Sequence, residues 1–359
     1  MGGVEGPRVL LAAGTSTGAG TTVALVEACR TLAKQLADGQ IGAAEVQIPR
    51  GASAARDAAV GCVVREQGRW EAIASDLVDR SEADIYIGFA DRLPLVGRSK
   101  TRVMAVQNPH LYQASNAPSL GELGRRVRTW WAARSARGAD VLICATNASR
   151  DAVKAAVPSV DETRIEVRPI RPATPEPNST WSESIERVVL LGDLYSYKRF
   201  DVALDGVVDW AVANGAADRV RVVHCGREQD DDASLGFAKA IERAEQAGVE
   251  VVRLGSVRHE RAMKELRAAD VLISASETET QGLTILEAMA MGVPVIARGI
   301  GPVLDLGGDA IAPFETSGGP NEVRRAIEAI EDVSTREQLA ARAFVRADMA
   351  AGWNLLPPG

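Results

Sequence analysis

Short runs of apolar residues alternate with longer amphipathic segments along almost the whole chain. Continuous apolar runs, such as Val141-Leu142-Ile143, are typical of strands buried on both faces of a parallel sheet. In the first half of the chain this pattern predicts strands over residues 8–13, 45–48, 84–88, 101–106, 140–145 and 165–168. It predicts helices over residues 21–37, 119–137 and 147–157.

Prolines interrupt this alternation near the middle of the chain. Pro169, Pro172, Pro175 and Pro177 lie in a segment rich in Ser and Thr, which favours a linker over residues 171–184. The alternation then restarts, with strands predicted over residues 187–191, 219–224, 249–254, 271–274 and 293–297. Helices are predicted over residues 200–214, 233–246, 259–269 and 283–291, and a last helix over 335–351. The pattern predicts an α/β protein with two doubly wound domains, residues 1–170 and 185–334, whose strand ends face a central cleft.

Length and composition agree with this organisation. A chain of 359 residues is too long for one ordinary core and long enough for two. Its 46% hydrophobic and 25% charged residues are typical of a well-buried globular protein. The formal net charge of −7 argues against nucleic acid as the main partner, because phosphate backbones are held by clustered Lys and Arg.

The four cysteines are scattered and form no Cys-x-x-Cys pair. Cys144 and Cys225 lie in or beside apolar strand-like runs, which favours small core residues in a reducing compartment. With three histidines and no metal-ligand spacing, no zinc site is expected. The apolar run at 9–13 is too short for a signal peptide, and no stretch has membrane length. We therefore expect a cytoplasmic protein.

The segment 274–296 carries the clearest chemistry in the sequence. A predicted strand ends at Ser274, and a predicted helix begins near Gly282 and stops at Gly292. The amides at the start of that helix form an anion site, which the helix dipole strengthens. Glu279 precedes the helix and Glu287 lies just over one turn inside it. Two carboxylates beside an anion site suit a ligand with phosphate at its centre and hydroxyl groups at both ends, such as a nucleotide sugar.

This spacing, Glu279-x7-Glu287 followed by Ala-Met-Ala-x-Gly-x-Pro-Val, resembles the motif of retaining glycosyltransferases of family 4, which have the two-domain GT-B fold. The resemblance implies that Glu287 binds the ribose hydroxyls and Glu279 the donor sugar. It also implies that the backbone around four further residues binds the diphosphate: Gln281, Gly282, Leu283 and Thr284. The alternative is an ordinary αβ unit of another doubly wound protein.

A second motif begins the same predicted domain, Gly192-Asp-Leu-Tyr-Ser-Tyr-Lys198-Arg199. It is similar to the family's strand–loop–helix in which a lysine neutralises the leaving diphosphate, a role implied here for Lys198, with Arg199 beside it. The family usually has Arg directly after the Gly, where this chain has Asp193. Arg199 or Arg227 compensating for that missing cation is a hypothesis. The alternative for Lys198 is a solvated surface lysine.

The first predicted domain gives weaker signals. The loop from Gly14 to Thr22 resembles, through Gly18, the glycine loop that approaches the donor phosphates in the family, and a plain tight turn is the alternative. Gln107-Asn108-Pro109-His110 follows a predicted strand at the place where the family often has a functional histidine. Asn108 and His110 are therefore candidate contacts of the reaction centre, and an ordinary exposed loop histidine is the alternative.

One basic patch covers residues 123–137, where Leu123, Val127 and either Trp130 or Trp131 form an apolar stripe among arginines. A helix on the inner face of a membrane, useful for a lipid-linked acceptor, has this pattern. A core-packed helix with solvated arginines has it too.

The resemblance as a whole implies transfer of a hexose, with retention and without a bound metal or other cofactor, from a nucleoside-diphosphate sugar to an acceptor that the sequence does not identify. It also implies that the last segment, residues 335–359, packs back on the first domain. Two other functions share this fold: a sugar-nucleotide epimerase, which the glutamate spacing disfavours, and a non-catalytic nucleotide-sugar-binding or partner subunit, which Asp193 favours.

Overall fold

The protein divides into two compact units. A computed structural model describes residues 6–15, 19–89, 91–112, 122–170, 182–349 and 355–357. The first unit comprises Met1–Arg171 with Ala350–Gly359, and the second comprises Pro172–Met349. This division falls within the predicted linker, of which residues 171–181 lie outside the described part of the chain.

The first unit contains a seven-stranded parallel sheet. Its strands are β1 (Arg8–Ala12), β2 (Ala43–Pro49), β3 (Val63–Gln67), β4 (Ile85–Gly88), β5 (Thr101–Val106), β6 (Val141–Cys144) and β7 (Ile165–Val167). They lie in the order β3-β2-β1-β4-β5-β6-β7. The helices of this unit are α1 (Ala19–Ala37), α2 (Ser53–Ala58), α3 (Arg69–Leu77), α4 (Glu122–Gly138) and α5 (Asn147–Ala156). Parallel neighbours connected through helices make this a doubly wound sheet.

The second unit repeats the architecture with six parallel strands. These are β8 (Arg187–Leu191), β9 (Arg221–Cys225), β10 (Glu250–Gly255), β11 (Val271–Ser274), β12 (Val295–Arg298) and β13 (Ala312–Phe314). Their order is β10-β9-β8-β11-β12-β13. The helices are α6 (Phe200–Ala213), α7 (Asp231–Ala247), α8 (His259–Arg267), α9 (Leu283–Ala290), α10 (Gly301–Gly307), α11 (Pro320–Glu328) and α12 (Val333–Met349). The two units confirm the predicted α/β class with two doubly wound domains.

Strand β8, in the middle of the second sheet, buries both of its faces, as its unbroken apolar run predicts. In β8, Val188 and Leu190 join one core cluster, while Val189 and Leu191 join the cluster on the opposite face of the sheet. This division follows from the alternation of side chains along a strand. Cys225, at the end of β9, is also buried in a core cluster, as expected.

Six elements are missing from the sequence-based assignment: α2, β3, α3, α10, β13 and α11. Two of them are edge strands, and an edge strand pairs on one side only. In β3 (Val-Val-Arg-Glu-Gln) the residues are only partly buried or exposed, so its apolar content is low. Strand β13 has three residues, among them Pro313, which gives no strand signal in the sequence.

The structure corrects the prediction for the helix within residues 335–359, while Ala350–Gly359 do belong to the first unit. Helix α12 packs within the second unit, where Leu339, Ala343 and Ala347 are buried in its core clusters. The chain joins the first unit only from Ala350 onward. There, Arg168 donates a hydrogen bond from Nη1 to the carbonyl oxygen of Leu356 at 2.7 Å. Helix α12 therefore uses its apolar side to complete the second domain.

Candidate functional site

The candidate site of the second unit lies where the strand order of its sheet reverses. Strand β8 is the first of the unit, and the strands that follow it are β9 and β10 on one side. On its other side it pairs in parallel with β11, with Val188 opposite Val271. The loops that follow β8 and β11 leave the same edge of the sheet toward opposite faces, and ligands of doubly wound sheets bind in the crevice that this reversal opens.

Lys198 and Glu279 come together at this crevice. Lys198 ends a short 3₁₀ turn after β8, and Glu279 lies on the loop after β11. The Nζ of Lys198 donates a hydrogen bond to Oε1 of Glu279 at 2.6 Å, and the two side chains are only 15% and 12% exposed. Burial favours the neutral amine of Lys198. The Glu279 carboxylate, together with Tyr197 and Asp193, favours the charged form, and their combined effect holds the pKa of Lys198 above its usual value. Lys198 is thus a charged ammonium group in a largely buried place.

The two loops are also tied to each other next to this pair. The backbone N–H of Glu277 donates to the carbonyl oxygen of Tyr197 at 2.8 Å. Arg199 donates to the Glu277 carboxylate at 2.8 Å and to both oxygens of Asp201 at 3.1 Å. Arg199 adopts a left-handed backbone conformation, with φ of 47°, at the start of α6. These contacts show that Arg199 stabilises the turn between β8 and α6. Its predicted contact with the donor sugar nucleotide stays a prediction.

Helix α9 begins beside Glu279, as the sequence predicts. Gly282 is the N-cap residue, with φ of 80°, a conformation that favours glycine. The first N–H groups of a helix have no partner within the helix, so Leu283 and Thr284 direct theirs away from the helix body. Gln281, just before the cap, is 2% exposed. The helix ends before Gly292, whose φ is 68°.

Glu287 is buried on α9 and faces a histidine that the sequence analysis does not single out. Its side chain is 5% exposed, and its Oε1 lies 3.5 Å from Nε2 of His259 at the start of α8. His259 itself is 56% exposed. The two residues belong to separate αβ units, so no local spacing in the sequence connects them. Together they place an acidic group and an imidazole where the start of α8 meets α9.

Two candidate residues of the first unit, Asn108 and His110, follow the end of β5. The backbone N–H of Asn108 donates to Oδ2 of Asp91 at 2.9 Å, and that of Gln107 donates to both oxygens of Asp91 at 3.2 Å. His110 lies in the 3₁₀ turn Pro109–Tyr112. Gly18 lies outside the described residues. The sequence analysis missed Asp91, which lies 16 and 17 residues from these amides.

Asp91 is a carboxyl group enclosed by the first unit. It is 1% exposed and has a left-handed backbone conformation, with φ of 56°. Burial outweighs the hydrogen bonds from Gln107 and Asn108 and raises the pKa of Asp91 to about 7. The next residue, Arg92, donates to Oγ1 of Thr15 at 2.7 Å and so connects the loops after β1 and β4, where the strand order of this sheet reverses.

Helix α4, which carries the basic patch, buries one of its two tryptophans. Trp131 is partly buried and donates from Nε1 to the carbonyl oxygen of Leu93 at 2.9 Å. Trp130 and Val127 are 54% and 50% exposed, while Ala132 and Ala136 face the core. Val127 and Trp130, two residues of the predicted apolar stripe, therefore point to solvent. Within the described ranges, no helix is long and apolar enough to cross a bilayer.

Most of the second unit matches a known protein family. Residues 185–331 match the family described as glycosyl transferases group 1, which is less than half of the chain and includes both motifs. A 33-residue stretch is 67% identical to an alpha-monoglucosyldiacylglycerol synthase of Streptococcus pneumoniae (strain ATCC BAA-255 / R6). That stretch is 9% of this chain and 8% of the synthase, so the alignment covers only a small part of either protein.

Solved structures resemble almost the whole chain. The Anabaena Alr3699/HepE complex with UDP-glucose has a TM-score of 0.70 at 16% identity, covering 96% of this chain and 95% of that one. A glycosyltransferase from Rickettsia africae ESF-5 has a TM-score of 0.66 at 13% identity, with 98% and 96% covered. WaaG, a glycosyltransferase involved in lipopolysaccharide biosynthesis, has a TM-score of 0.62 at 14% identity, with 97% of both chains covered. The fold is therefore the GT-B fold.

Proposed function

We propose that this chain is a retaining glycosyltransferase of the family 4 type, which transfers a hexose from a nucleoside-diphosphate sugar. The observation that carries the proposal is the Lys198–Glu279 pair beside the start of α9, at the strand reversal of the second sheet. A buried ammonium group next to helix-start amides suits a diphosphate, and the adjacent carboxylates suit hydroxyl groups. The family match over residues 185–331 supports the same function.

In this proposal each group acts where charge develops during transfer. The bond between the anomeric carbon and the diphosphate oxygen breaks, and the leaving diphosphate gains negative charge that Lys198 and the amides near Gly282 stabilise. Glu287 binds the ribose hydroxyls and Glu279 the sugar. An ammonium group has three N–H donors, so Lys198 can bind phosphate while it keeps its bond to Glu279. A hydroxyl group of the acceptor attacks the anomeric carbon from the face of the leaving group, which retains the anomeric configuration. Its proton passes to an oxygen of the leaving diphosphate as the new glycosidic bond forms.

We propose UDP-glucose as the first donor to test, because HepE was crystallised with UDP and with UDP-glucose. A thermal-shift screen with UDP-, GDP-, ADP- and dTDP-sugars would identify the base, since a ligand of the folded state raises the melting temperature. Lys198→Ala and Glu287→Ala should each weaken binding of the selected donor about tenfold or more. Lys239→Ala, at an exposed lysine of α7, is the matched control and should bind as the wild type does. Unchanged donor affinity in both site variants would refute the site assignment.

Turnover separates the proposed enzyme from a silent binder. With donor and a cell extract as the acceptor source, the enzyme should release free nucleoside diphosphate, and ¹H NMR of the product should show the anomeric configuration of the donor. Activity that survives EDTA would agree with the proposed metal independence. The alternative is a non-catalytic nucleotide-sugar-binding subunit, which Asp193 at the family's arginine position favours. It predicts binding without release, while an epimerase would convert the sugar without an acceptor.

For the acceptor we propose a lipid-linked molecule reached from the cytoplasmic face of a membrane. Val127 and Trp130 are exposed on α4, and Arg128 and Arg134 on the same helix are exposed too, although the whole chain is acidic. Aromatic and basic side chains together suit an anionic lipid surface. The short similarity to a synthase whose name includes diacylglycerol points to the same class of acceptor.

Vesicle sedimentation tests this surface. The chain should sediment with vesicles that contain phosphatidylglycerol and much less with pure phosphatidylcholine, and Trp130→Ser should reduce the bound fraction severalfold. Trp70→Ser is the control, because Trp70 is 79% exposed on α3, away from the stripe in sequence. Equal loss in both variants, or no binding by the wild type, would contradict the membrane proposal and leave the donor site untouched.

A further inference from the structure

Asp193, the residue that departs from the family pattern, is held by an arginine from the neighbouring loop. Its Oδ1 accepts a hydrogen bond from the backbone N–H of Arg227 at 2.9 Å, and its Oδ2 accepts from Nη2 of Arg227 at 3.0 Å. Gln229 donates to the same Oδ2 at 3.3 Å. The Asp193 side chain is 12% exposed, whereas that of Arg227 is 50% exposed. The carboxylate is therefore neutralised locally, while much of the guanidinium stays accessible.

The backbone brings Arg227 to the strand end from which the Lys198 turn begins. The N–H of Gly192 donates to the carbonyl of Cys225 at 2.9 Å, and that of Leu194 donates to the carbonyl of Arg227 at 2.7 Å. These two backbone hydrogen bonds join the loop after β8 to the loop after β9. Glycine at 226 allows the close approach, because a Cβ there would overlap the carbonyl oxygen of Gly192.

Lys198 lies against the same point. A Cβ placed on Gly192 would lie 3.8 Å from Cε of Lys198, so the lysine stem runs past the residue that precedes Asp193. Asp193 is also close enough to act electrostatically on Lys198. The carboxyl end of β8 thus has two cations near it, the Lys198 ammonium group and the Arg227 guanidinium, and Asp193 positions the second.

We infer that Arg227 supplies the cation that the family usually has at position 193, and that it binds the donor diphosphate together with Lys198. Asp193 is then a positioning residue for this guanidinium. A guanidinium has five N–H donors in a planar arrangement that suits phosphate oxygens, and the Asp193 contact comes from Nη2. The inference rests on the proposed function, since it concerns the same donor site.

The test compares ligands with and without a diphosphate on the full-length protein. Calorimetric titrations use whichever of UDP, GDP, ADP and dTDP stabilises the wild type most, and the matching nucleoside. Arg227→Gln should weaken nucleoside-diphosphate binding about tenfold, the loss of one charge-assisted hydrogen bond, and leave nucleoside binding unchanged. Arg227→Lys, which keeps the charge, should recover part of the affinity. Arg243→Gln is the control, because Arg243 is 46% exposed and also pairs with aspartates, but lies on α7.

Asp193→Asn gives the sharpest contrast. If Asp193 positions Arg227, this variant should weaken diphosphate binding severalfold. If Asp193 instead acts as an uncompensated anion beside the phosphate, the variant should bind more tightly, and that result would overturn the inference. Equal diphosphate affinity in Arg227→Gln and the wild type would also overturn it, with the proposed function intact. A wild type that binds none of the four nucleotides would defeat the proposed function itself.

Discussion

Gly226→Ala tests whether the close contact between the loops after β8 and β9 is required by the fold. A Cβ at 226 would overlap the carbonyl oxygen of Gly192 and lie 2.9 Å from the amide nitrogen of Asp193, where ordinary contact begins at 3.4 Å. Both are backbone atoms, so no side chain can rotate away. The loops must separate, which strains the 2.9 Å bond between the Gly192 N–H and the Cys225 carbonyl. Overpacking of this kind costs about 1–3 kcal/mol, and we expect the upper end here.

The expected loss has a clear thermal readout. For a unit of this size, about 3 kcal/mol lowers the melting temperature by roughly 6–12 °C. Differential scanning calorimetry, with the transition of the second unit identified by its shift with nucleotide, measures the change. Gly236→Ala is the matched control: its Cβ would meet only the Cβ of Asp201, at 4.0 Å, and alanine within α7 should stabilise by about 0.5–1 kcal/mol. Equal melting temperatures for Gly226→Ala and the wild type would refute the reasoning.

Three further predictions concern buried charges. Burial raises the pKa of Asp91 to about 7, so between pH 4 and 7 the native carboxyl keeps a proton that the unfolded chain has lost. The contribution of Asp91 to the free energy of unfolding should therefore fall by about 4 kcal/mol from pH 4 to 7. Urea denaturation of Asp91→Asn across this pH range should not show that fall. Burial lowers the pKa of His224 to about 4, so as the pH drops the unfolded chain binds a proton before the native protein does. The contribution of His224 to the free energy of unfolding should therefore decline by about 3 kcal/mol between pH 6.5 and pH 4. The same decline in His224→Phe would contradict this prediction. Lys198→Ala should lower the free energy of unfolding by about 3 kcal/mol, because it leaves the Glu279 carboxylate buried without its cation. The double variant Lys198→Ala/Glu279→Ala should be more stable than Lys198→Ala alone. Additive losses in this double-mutant cycle would argue against a coupled ion pair.

Local features of the site could be predicted from the sequence because they depend on neighbouring residues. Gly282 and Gly292 bound helix α9 through left-handed backbone conformations that glycine adopts without strain, and the apolar run before Ser274 predicts the buried strand. The start of the helix and the position of Glu287 inside it follow from those boundaries. The two-domain α/β class follows in the same way from the repeated alternation of strands and helices.

Contacts between distant residues were decided by the order of strands in the sheet. Lys198 and Glu279 are 81 residues apart and meet because β8 and β11 are parallel neighbours. Asp193 and Arg227 meet, 34 residues apart, because β9 lies on the other side of β8. The local pattern of apolar and polar residues does not predict which strands are adjacent in the sheet, because strand order depends on how the helices pack on both faces of that sheet.

The placement of α12 shows the same limit. Its sequence predicts an amphipathic helix to within two residues at each end, because periodicity and helix propensity are local properties. Which core its apolar side completes is a tertiary choice, and it packs with Ala343 and Ala347 in the core of the second unit. The sequence by itself thus determined most of the elements and the chemistry carried by the loops around α6 and α9. Only the packing of those elements decided which charges face one another, because burial and ion pairing are properties of neighbours in space.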